Sequence, residues 1–272
     1  MDARRDRYEL KYPVPRDRLE SLRRALQPFV VRDRHTPPDR LGYTIHSIYF
    51  DTPGFDFYHQ KLAGVQHRYK VRLRGYNDGG PDDVVVLEIK RKDDRVVSKA
   101  RARVLHRDLD ALLVTGDVER YALAGPDDAR SMEDLQRFLY RIRRHGLRPV
   151  VLIRYEREAY FGRHNDDLRI TLDSCLRSRS FPEATQLFGR QTVVRARRDS
   201  VVEVKHYGAS PSWLKGLLSD FGLKRGSFSK YCNCLDNLDL PHRSSRPGVI
   251  ARSRRVGIES RVSERRWRPV CR

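Results

Sequence analysis

The sequence has 272 residues, and 56 lysines and arginines stand against 36 aspartates and glutamates, for a formal charge of +20. With 39% hydrophobic residues a chain of this length closes one large core or two small ones, which excludes wholesale disorder, and the excess of cations demands a polyanionic partner. No apolar run approaches the roughly 20 residues of a membrane-spanning helix, and no Walker A, GxGxxG, HExxH or GxSxG sequence is present, which sets aside the common nucleotide-fold and hydrolase-triad chemistries.

In chain order, residues 6–12 alternate as a first strand, and Arg16–Phe29 follows as a helix with Leu19, Leu22, Leu26 and Phe29 on one stripe. Strands are predicted over 44–51, 67–76, 84–92 and 96–104, with the turn Asn77-Asp78-Gly79-Gly80-Pro81 between the second and third. Helices over Leu109–Leu113 and Met132–His145 lead to strands at 150–160, 168–173 and 200–206, and Ser210-Pro211 opens a helix over Pro211–Phe221. From His242 to Arg272, ten arginines and two glutamates give +8 with no apolar period, so 242–272 reads as a basic, disordered tail. Residues 1–241 keep +12, and most of the charge therefore belongs to the folded body. The N-terminal residues are charged with no apolar stretch behind them, which reads as a cytoplasmic protein. Cys175, Cys232, Cys234 and Cys271 lack zinc-ligand spacing and read as buried or incidental thiols.

The polar faces of these strands share a theme. Side chains alternate along a strand, so Arg68, Lys70, Arg72 and Arg74 fall on one face and Tyr69, Val71 and Leu73 on the other. Arg7–Lys11, Glu88–Lys92, Leu168–Asp173 and Val202–Lys205 repeat the pattern. Such faces are either solvated outer faces or the lining of a closed barrel whose apolar exterior is covered by helices. Like charges crowded on several short strands repel one another unless an anion sits among them, which favours the barrel and a long, highly negative ligand. Glu9, Glu88 and Glu203 add hard oxygen donors of the kind Mg²⁺ or Mn²⁺ prefers.

Arg7-Tyr8-Glu9-Leu10-Lys11-Tyr12, Ser47-Ile48-Tyr49-Phe50-Asp51-Thr52, Lys70-Val71-Arg72-Leu73-Arg74, Leu87-Glu88-Ile89-Lys90, Tyr155-Glu156-Arg157, Arg169-Ile170-Thr171-Leu172-Asp173, Glu203-Val204-Lys205 and Phe228-Ser229-Lys230 occur in this order over residues 6–231. Jointly they resemble the VTC domain, the polyphosphate polymerase branch of the triphosphate tunnel metalloenzyme superfamily. The resemblance implies an α+β fold in which about eight antiparallel strands form a tunnel or barrel with flanking helices, here over residues 1–241. It implies that Lys11, Arg72, Arg74, Lys90, Arg157 and Arg169 are catalytic phosphate contacts, and that Lys70, Lys99, Tyr155, Lys205, Ser229 and Lys230 complete the grip. It implies Glu203 as the ligand of a Mn²⁺ or Mg²⁺ cofactor. There are two departures from the family pattern. Arg7 stands where hydrolytic relatives begin Glu-x-Glu-x-Lys, which favours the polymerase branch, and Ser227 replaces a lysine before Phe-Ser-Lys, with Lys224 and Arg225 nearby.

The chemistry suits these residue types. Phosphoryl transfer needs positioning and charge neutralisation more than a side-chain nucleophile, and arginine forks, lysines and a metal provide both. The expected activity is a metal-dependent polyphosphate polymerase that moves the terminal phosphate of ATP to inorganic polyphosphate. The rivals are a tripolyphosphate or nucleoside triphosphate hydrolase on the same scaffold, and a nucleic-acid-binding or polyphosphate-binding barrel without catalysis. The partners are ATP and polyphosphate, with no specific nucleic acid; a membrane-protein partner, and a place at the inner face of a membrane, come from the resemblance alone. Glu9 and Glu88 are expected to pair with neighbouring cations, and Asp173 to orient arginines. Tyr49 is as consistent with the rim as with the substrate, His206 should face away from Glu203, and Trp213 reads as a lid, a plug or plain core.

Overall fold

Apolar alternation folds the chain into one curled antiparallel sheet in the computed structural model, which describes residues 7–94, 96–123, 128–189, 193–196 and 200–243. The strands are β1 (Arg7–Pro13), β2 (Val30–Arg32), β3 (Tyr43–Asp51), β4 (His67–Tyr76), β5 (Val84–Asp93), β6 (Val96–Leu105), β7 (Arg148–Gly162), β8 (Asn165–Ser180), β9 (Val194–Arg195) and β10 (Val201–Tyr207). The main path runs β1-β10-β8-β7-β3-β4-β5-β6, with β2 added to β7 and β9 to β8. Each of the eight strands expected from the sequence forms a member of this path. The largest difference is at 168–173, which extends to Ser180 because Asn165–Ser180 pairs along nearly the whole of β7.

Register shifts at Tyr49/Phe50 in β3 and at Arg154/Glu156 in β7 bend the central strands. The sheet therefore curls into a half-barrel with a concave and a convex face. The helices are α1 (Leu19–Leu26), α2 (Asp56–Leu62), α3 (Leu109–Thr115), α4 (Val118–Tyr121), α5 (Asp128–His145), α6 (Ser212–Asp220), α7 (Lys230–Asn237) and α8 (Leu240–Arg243). The helix expected over Arg16–Phe29 is shorter at its α-helical centre, with single 3₁₀ turns on either side; Pro28 lies in the second of them.

Two apolar cores cover the convex face. On one half, Leu19, Leu22 and Leu26 of α1 and Leu214, Leu217 and Leu218 of α6 pack on Ile170, Leu172, Val202 and Val204. Trp213 belongs to this layer, its ring stacked 4.3 Å from that of Phe29, so it is core rather than a lid. On the other half, Leu135, Phe138 and Leu139 of α5 with Leu109 and Leu112 of α3 cover Val71, Leu73, Leu87 and Val104. A third core fills part of the concave face, where α7 lays Tyr231, Cys232, Cys234 and Leu235 against Ile45, Ile153, Tyr155 and Leu176. Among the described residues no helix is long and apolar enough to cross a membrane. The tail read from the sequence lies outside the described residues beyond Arg243.

Candidate active site

The concave surface left open by α7 is built from two charged walls. On the β4-β5-β6 wall the register places Arg72, Glu88 and Arg101 in one row, Lys70, Lys90 and Lys99 in the next, and Arg68 with Lys92 beyond them. On the opposite wall, Lys11, Glu203 and Thr171 form one row and Glu9, Lys205 and Arg169 another. The edge strands β1 and β6 do not pair with each other, but Lys90 Nζ reaches Glu9 at 3.7 Å and so ties the two walls together. A cavity of about 580 Å³ opens here, lined by Lys11, Lys61, Arg68, Lys70, Lys90, Lys92 and Arg225 with Glu9 as its lone carboxylate among the described residues.

Each carboxylate of the two walls, in the lining or behind it, is engaged by cations, as the sequence led one to expect for Glu9, Glu88 and Asp173. Glu88 accepts from Arg72 Nε at 2.6 Å and from Arg101 Nε at 2.9 Å, and Arg74 Nη1 lies 3.9 Å away. Burial pushes its carboxyl up, but Arg72, Arg74 and Arg101 outweigh that and hold it at about 2. Asp173 accepts both arms of the Arg157 guanidinium, at 2.6 and 2.7 Å, and pairs with Lys230 at 2.6 Å. Tyr155 lies beneath this group, its ring 5.4 Å from the Arg157 guanidinium and 4.8 Å from Lys230 Nζ. Glu203 is buried between Lys205, with which it makes a close ion pair, and Lys11 at 3.7 Å. Burial raises its carboxyl, yet Lys205, Lys11, Lys230 and Arg157 hold it well below the usual range.

Packing so many cations together leaves some of them poorly compensated. Desolvation, together with the repulsion of Lys11 and Lys90, pulls the Lys70 ammonium down to about 8 even though Tyr49 pulls the other way. Lys99, on the exposed edge strand, is held at about 8 by desolvation and by Lys90, Arg101, Lys205 and Arg7. Arg74 is mostly buried, and its Nε has no hydrogen-bond partner among the described residues. These are the signs of a surface poised for an anion.

Of the residues singled out from sequence, Lys11, Lys70, Lys90 and Ser229 line the cavity, Arg72, Arg74, Tyr155, Arg157, Glu203, Lys205 and Lys230 belong to the ion-paired groups described above, and two others lie at the margins. Arg169 turns to the rim, where Asp33 accepts from its Nη2 at 2.9 Å, and Lys99 sits on the open edge. Ser229 caps α7 and also accepts from Lys70 Nζ at 3.4 Å. The strap before α7 crosses the mouth: Gly226 N donates to Lys11 O at 2.9 Å and Lys11 Nζ to Phe228 O at 3.3 Å. Ser227 accepts from Lys61 Nζ at 3.4 Å, so Lys61 and Arg225 put positive charge around the position where the family's lysine is missing. Lys61 was not legible from sequence, because it belongs to a helix that the apolar pattern did not announce. His206 faces the convex side as expected, buried against the ring of Tyr8 at 5.3 Å.

Among the described residues no group of three or more His, Cys, Asp or Glu side chains could cage a metal. Glu88 is occupied by arginines, which leaves Glu203 with Glu9 behind it, both beside Lys11. Two hard carboxylates among lysines fit a divalent cation that brings phosphate oxygens and water as its remaining ligands. Glu203 would hold it.

The sequence model of the VTC domain family matches residues 6–238. The chain belongs to the VTC-domain family. With it comes membership of the triphosphate tunnel metalloenzyme superfamily, whose tunnel fold the curled antiparallel sheet matches. This VTC domain is 26% identical over 161 residues to vacuolar transporter chaperone complex subunit 4 of Trypanosoma cruzi, a match over 52% of this chain and 20% of that protein. The chain thus spans about a fifth of that relative's length. Among solved structures it is similar to the PH1819 protein of Pyrococcus horikoshii OT3, with TM-score 0.43 and 14% identity over 88% of this chain and 100% of that one. It is also similar to HpAC1 from Hippeastrum, a putative adenylyl cyclase described as having a dominant triphosphatase activity, with TM-score 0.43 and 17% identity over 83% and 92% of the two chains.

Proposed function

We propose that this VTC domain is an enzyme that binds the phosphates of a nucleoside triphosphate or tripolyphosphate in its lumen and cleaves off the terminal phosphoryl group. The observation that carries this reading is the cation-lined cavity of about 580 Å³ flanked by the Arg72–Glu88 and Arg157–Asp173 pairs. Both guanidiniums are oriented by carboxylates before any ligand arrives, so they meet developing phosphoryl charge without having to reorganise. Lys11, Lys70 and Lys90 supply point charges along the same path, and Ser229 with Lys230 presents the start of α7 to it. When bound by Glu203, Mg²⁺ or Mn²⁺ would neutralise and polarise the phosphoryl oxygens. Water as acceptor asks least of the site, since it needs no second phosphate path to hold and align an acceptor chain.

A second reading, elongation of polyphosphate from ATP, is favoured by one feature. The rows of cations continue outward past Lys70 and Lys90 to Arg68, Lys92, Lys61 and Arg225, farther than a single triphosphate requires. One experiment separates the acceptors. Purified protein is incubated with ATP or tripolyphosphate and Mn²⁺ or Mg²⁺, and orthophosphate release is followed alongside gel analysis for polymer. Orthophosphate alone supports hydrolysis, and exopolyphosphatase-sensitive polymer supports elongation. Tight binding with neither product overturns both in favour of a binding module.

A further inference from the structure

Arg72 is held from two sides. Glu88 takes Nε and Nη2, while Nη1 donates to the phenolic oxygen of Tyr49 at 2.8 Å. Tyr49 is 5% exposed, and its ring lies on that of Tyr231, centroids 5.0 Å apart and planes inclined by 24°. Tyr231 is fixed in turn by a close hydrogen bond from its hydroxyl to Asp51. The phenol is therefore a rigid acceptor on an aromatic shelf. The groups facing it are Arg72, Lys70 and Arg74 from β4, Tyr231 from α7, and Asp51 farther along its own strand, whose carboxylate is occupied by Tyr231 and the start of α2. Burial pushes the phenol up, but Arg72, Lys70 and Arg74 outweigh it and hold it at about 8.

We infer that Tyr49 is a positioning residue for Arg72, holding its guanidinium while the lumen is empty and yielding it, as a neutral phenol, when a phosphate oxygen takes over the contact. This rests on the reading of the lumen as a phosphate site. Phenolate and phosphate are anions competing for one cation, and the presence of the second disfavours ionisation of the first. On ligand binding the phenolate oxygen takes one proton from solvent, and no bond to phosphorus forms or breaks.

The test uses the full chain, inorganic tripolyphosphate as the probe, and titrations at pH 7 and pH 9. Wild type should show a tyrosinate absorption band near pH 9 that bleaches as tripolyphosphate binds, and Tyr49→Phe should lack that change. Lys70 titrates in the same range and takes up a proton in both proteins, so the tyrosinate band, which lysine lacks, is the deciding signal. At pH 7, Tyr49→Phe should bind about fivefold more tightly, because the charged hydrogen bond that phosphate must displace is gone. In an Arg72→Lys background the same substitution should have no further effect, because the group it positions is gone. The bleaching measurement needs no variant and stands even if Tyr49→Phe folds poorly. Wild type that binds tripolyphosphate without bleaching, or a variant that binds equally well with its own bleaching intact, overturns the inference. Wild type that does not bind tripolyphosphate overturns the phosphate-site reading itself, and this inference with it.

Discussion

A guanidinium sealed between strands is stable only if an opposite charge is sealed in beside it, and Glu88 serves Arg72, Arg74 and Arg101 at once. Glu88→Gln should therefore leave Arg72 without its compensating charge, at a cost of about 3 kcal/mol or more, measured as a lower denaturation midpoint at pH 7. The pH dependence has a definite sign. The folded carboxyl titrates at about 2, below its ordinary value of 4.5, so its stabilisation is complete above the ordinary carboxylate range and is lost as pH falls from there toward 2. Wild type should lose stability over that acid range more steeply than Glu88→Gln. Glu203→Gln tests a different role, since it removes a charge surrounded by Lys205, Lys11 and Lys230. Tripolyphosphate should bind the variant at least as tightly in the absence of metal, whereas any tightening by Mn²⁺ should shrink at least tenfold, or about 1.4 kcal/mol. An unchanged Mn²⁺ effect in calorimetry would assign Glu203 to ion pairing alone. The pairing of Glu9, Glu88 and Asp173 was legible in the sequence because strand alternation fixes which residues share a face. The contact of Tyr49 with Arg72 was not, because alternation within a strand does not give the β3–β4 register that sets Tyr49 directly opposite Arg72.

At the scale of elements, the eight strands of the main path were legible, whereas the short strands β2 and β9 and the helices α2, α4, α7 and α8 were not. Alternation marks a strand locally, whereas α2 depends on a group outside it. Asp51, at the end of β3, accepts from the backbone N–H of Thr52 at 2.7 Å, Phe57 at 2.9 Å and Tyr58 at 3.0 Å, and from Tyr231. It thus caps α2 from outside the helix, while Phe55 enters it with a left-handed φ of 58°. Helix α7 did carry a signal, since Tyr231, Cys234, Leu235 and Leu238 stand at i, i+3, i+4 and i+7 after the Ser229 cap. Helices α2 and α7 are then joined across the concave face by hydrogen bonds from Tyr231 to Asp51 and from Tyr58 to Asp236. Asp51→Ala should strip the cap from α2 and the tether from α7 together, costing about 2 kcal/mol or more. Proteolysis should then cut first near α2 and in the strap before α7, well before the strands open. A variant as resistant as wild type would mean that apolar packing alone seats both helices.

The whole molecule is a half-barrel whose two walls carry the same sign of charge and whose edge strands face each other unpaired. Across that gap Glu9 and Lys90 attract, while Arg7 and Lys205 add to the field that depresses Lys99. Fold class and the cationic character of the concave face were legible from the repeated cationic faces, but the open edge was not, because alternation says nothing of whether a sheet closes. In the empty protein the repulsion opposes compaction, and a bound polyanion would remove it. Tripolyphosphate should therefore stabilise the chain beyond what ionic strength alone achieves. At a concentration a hundredfold above its dissociation constant, linkage gives about 2.7 kcal/mol. For a domain of this size that corresponds to a rise in Tm of roughly 5–10 °C. Sodium chloride at matched ionic strength should give a much smaller rise, because chloride screens the walls without bridging them, and added salt should weaken the tripolyphosphate effect progressively. Orthophosphate, too short to span from Arg72 to Lys11, should fall between the two. Equal shifts with chloride and tripolyphosphate would mean that the walls respond only to screening and that no polyanion is held between them.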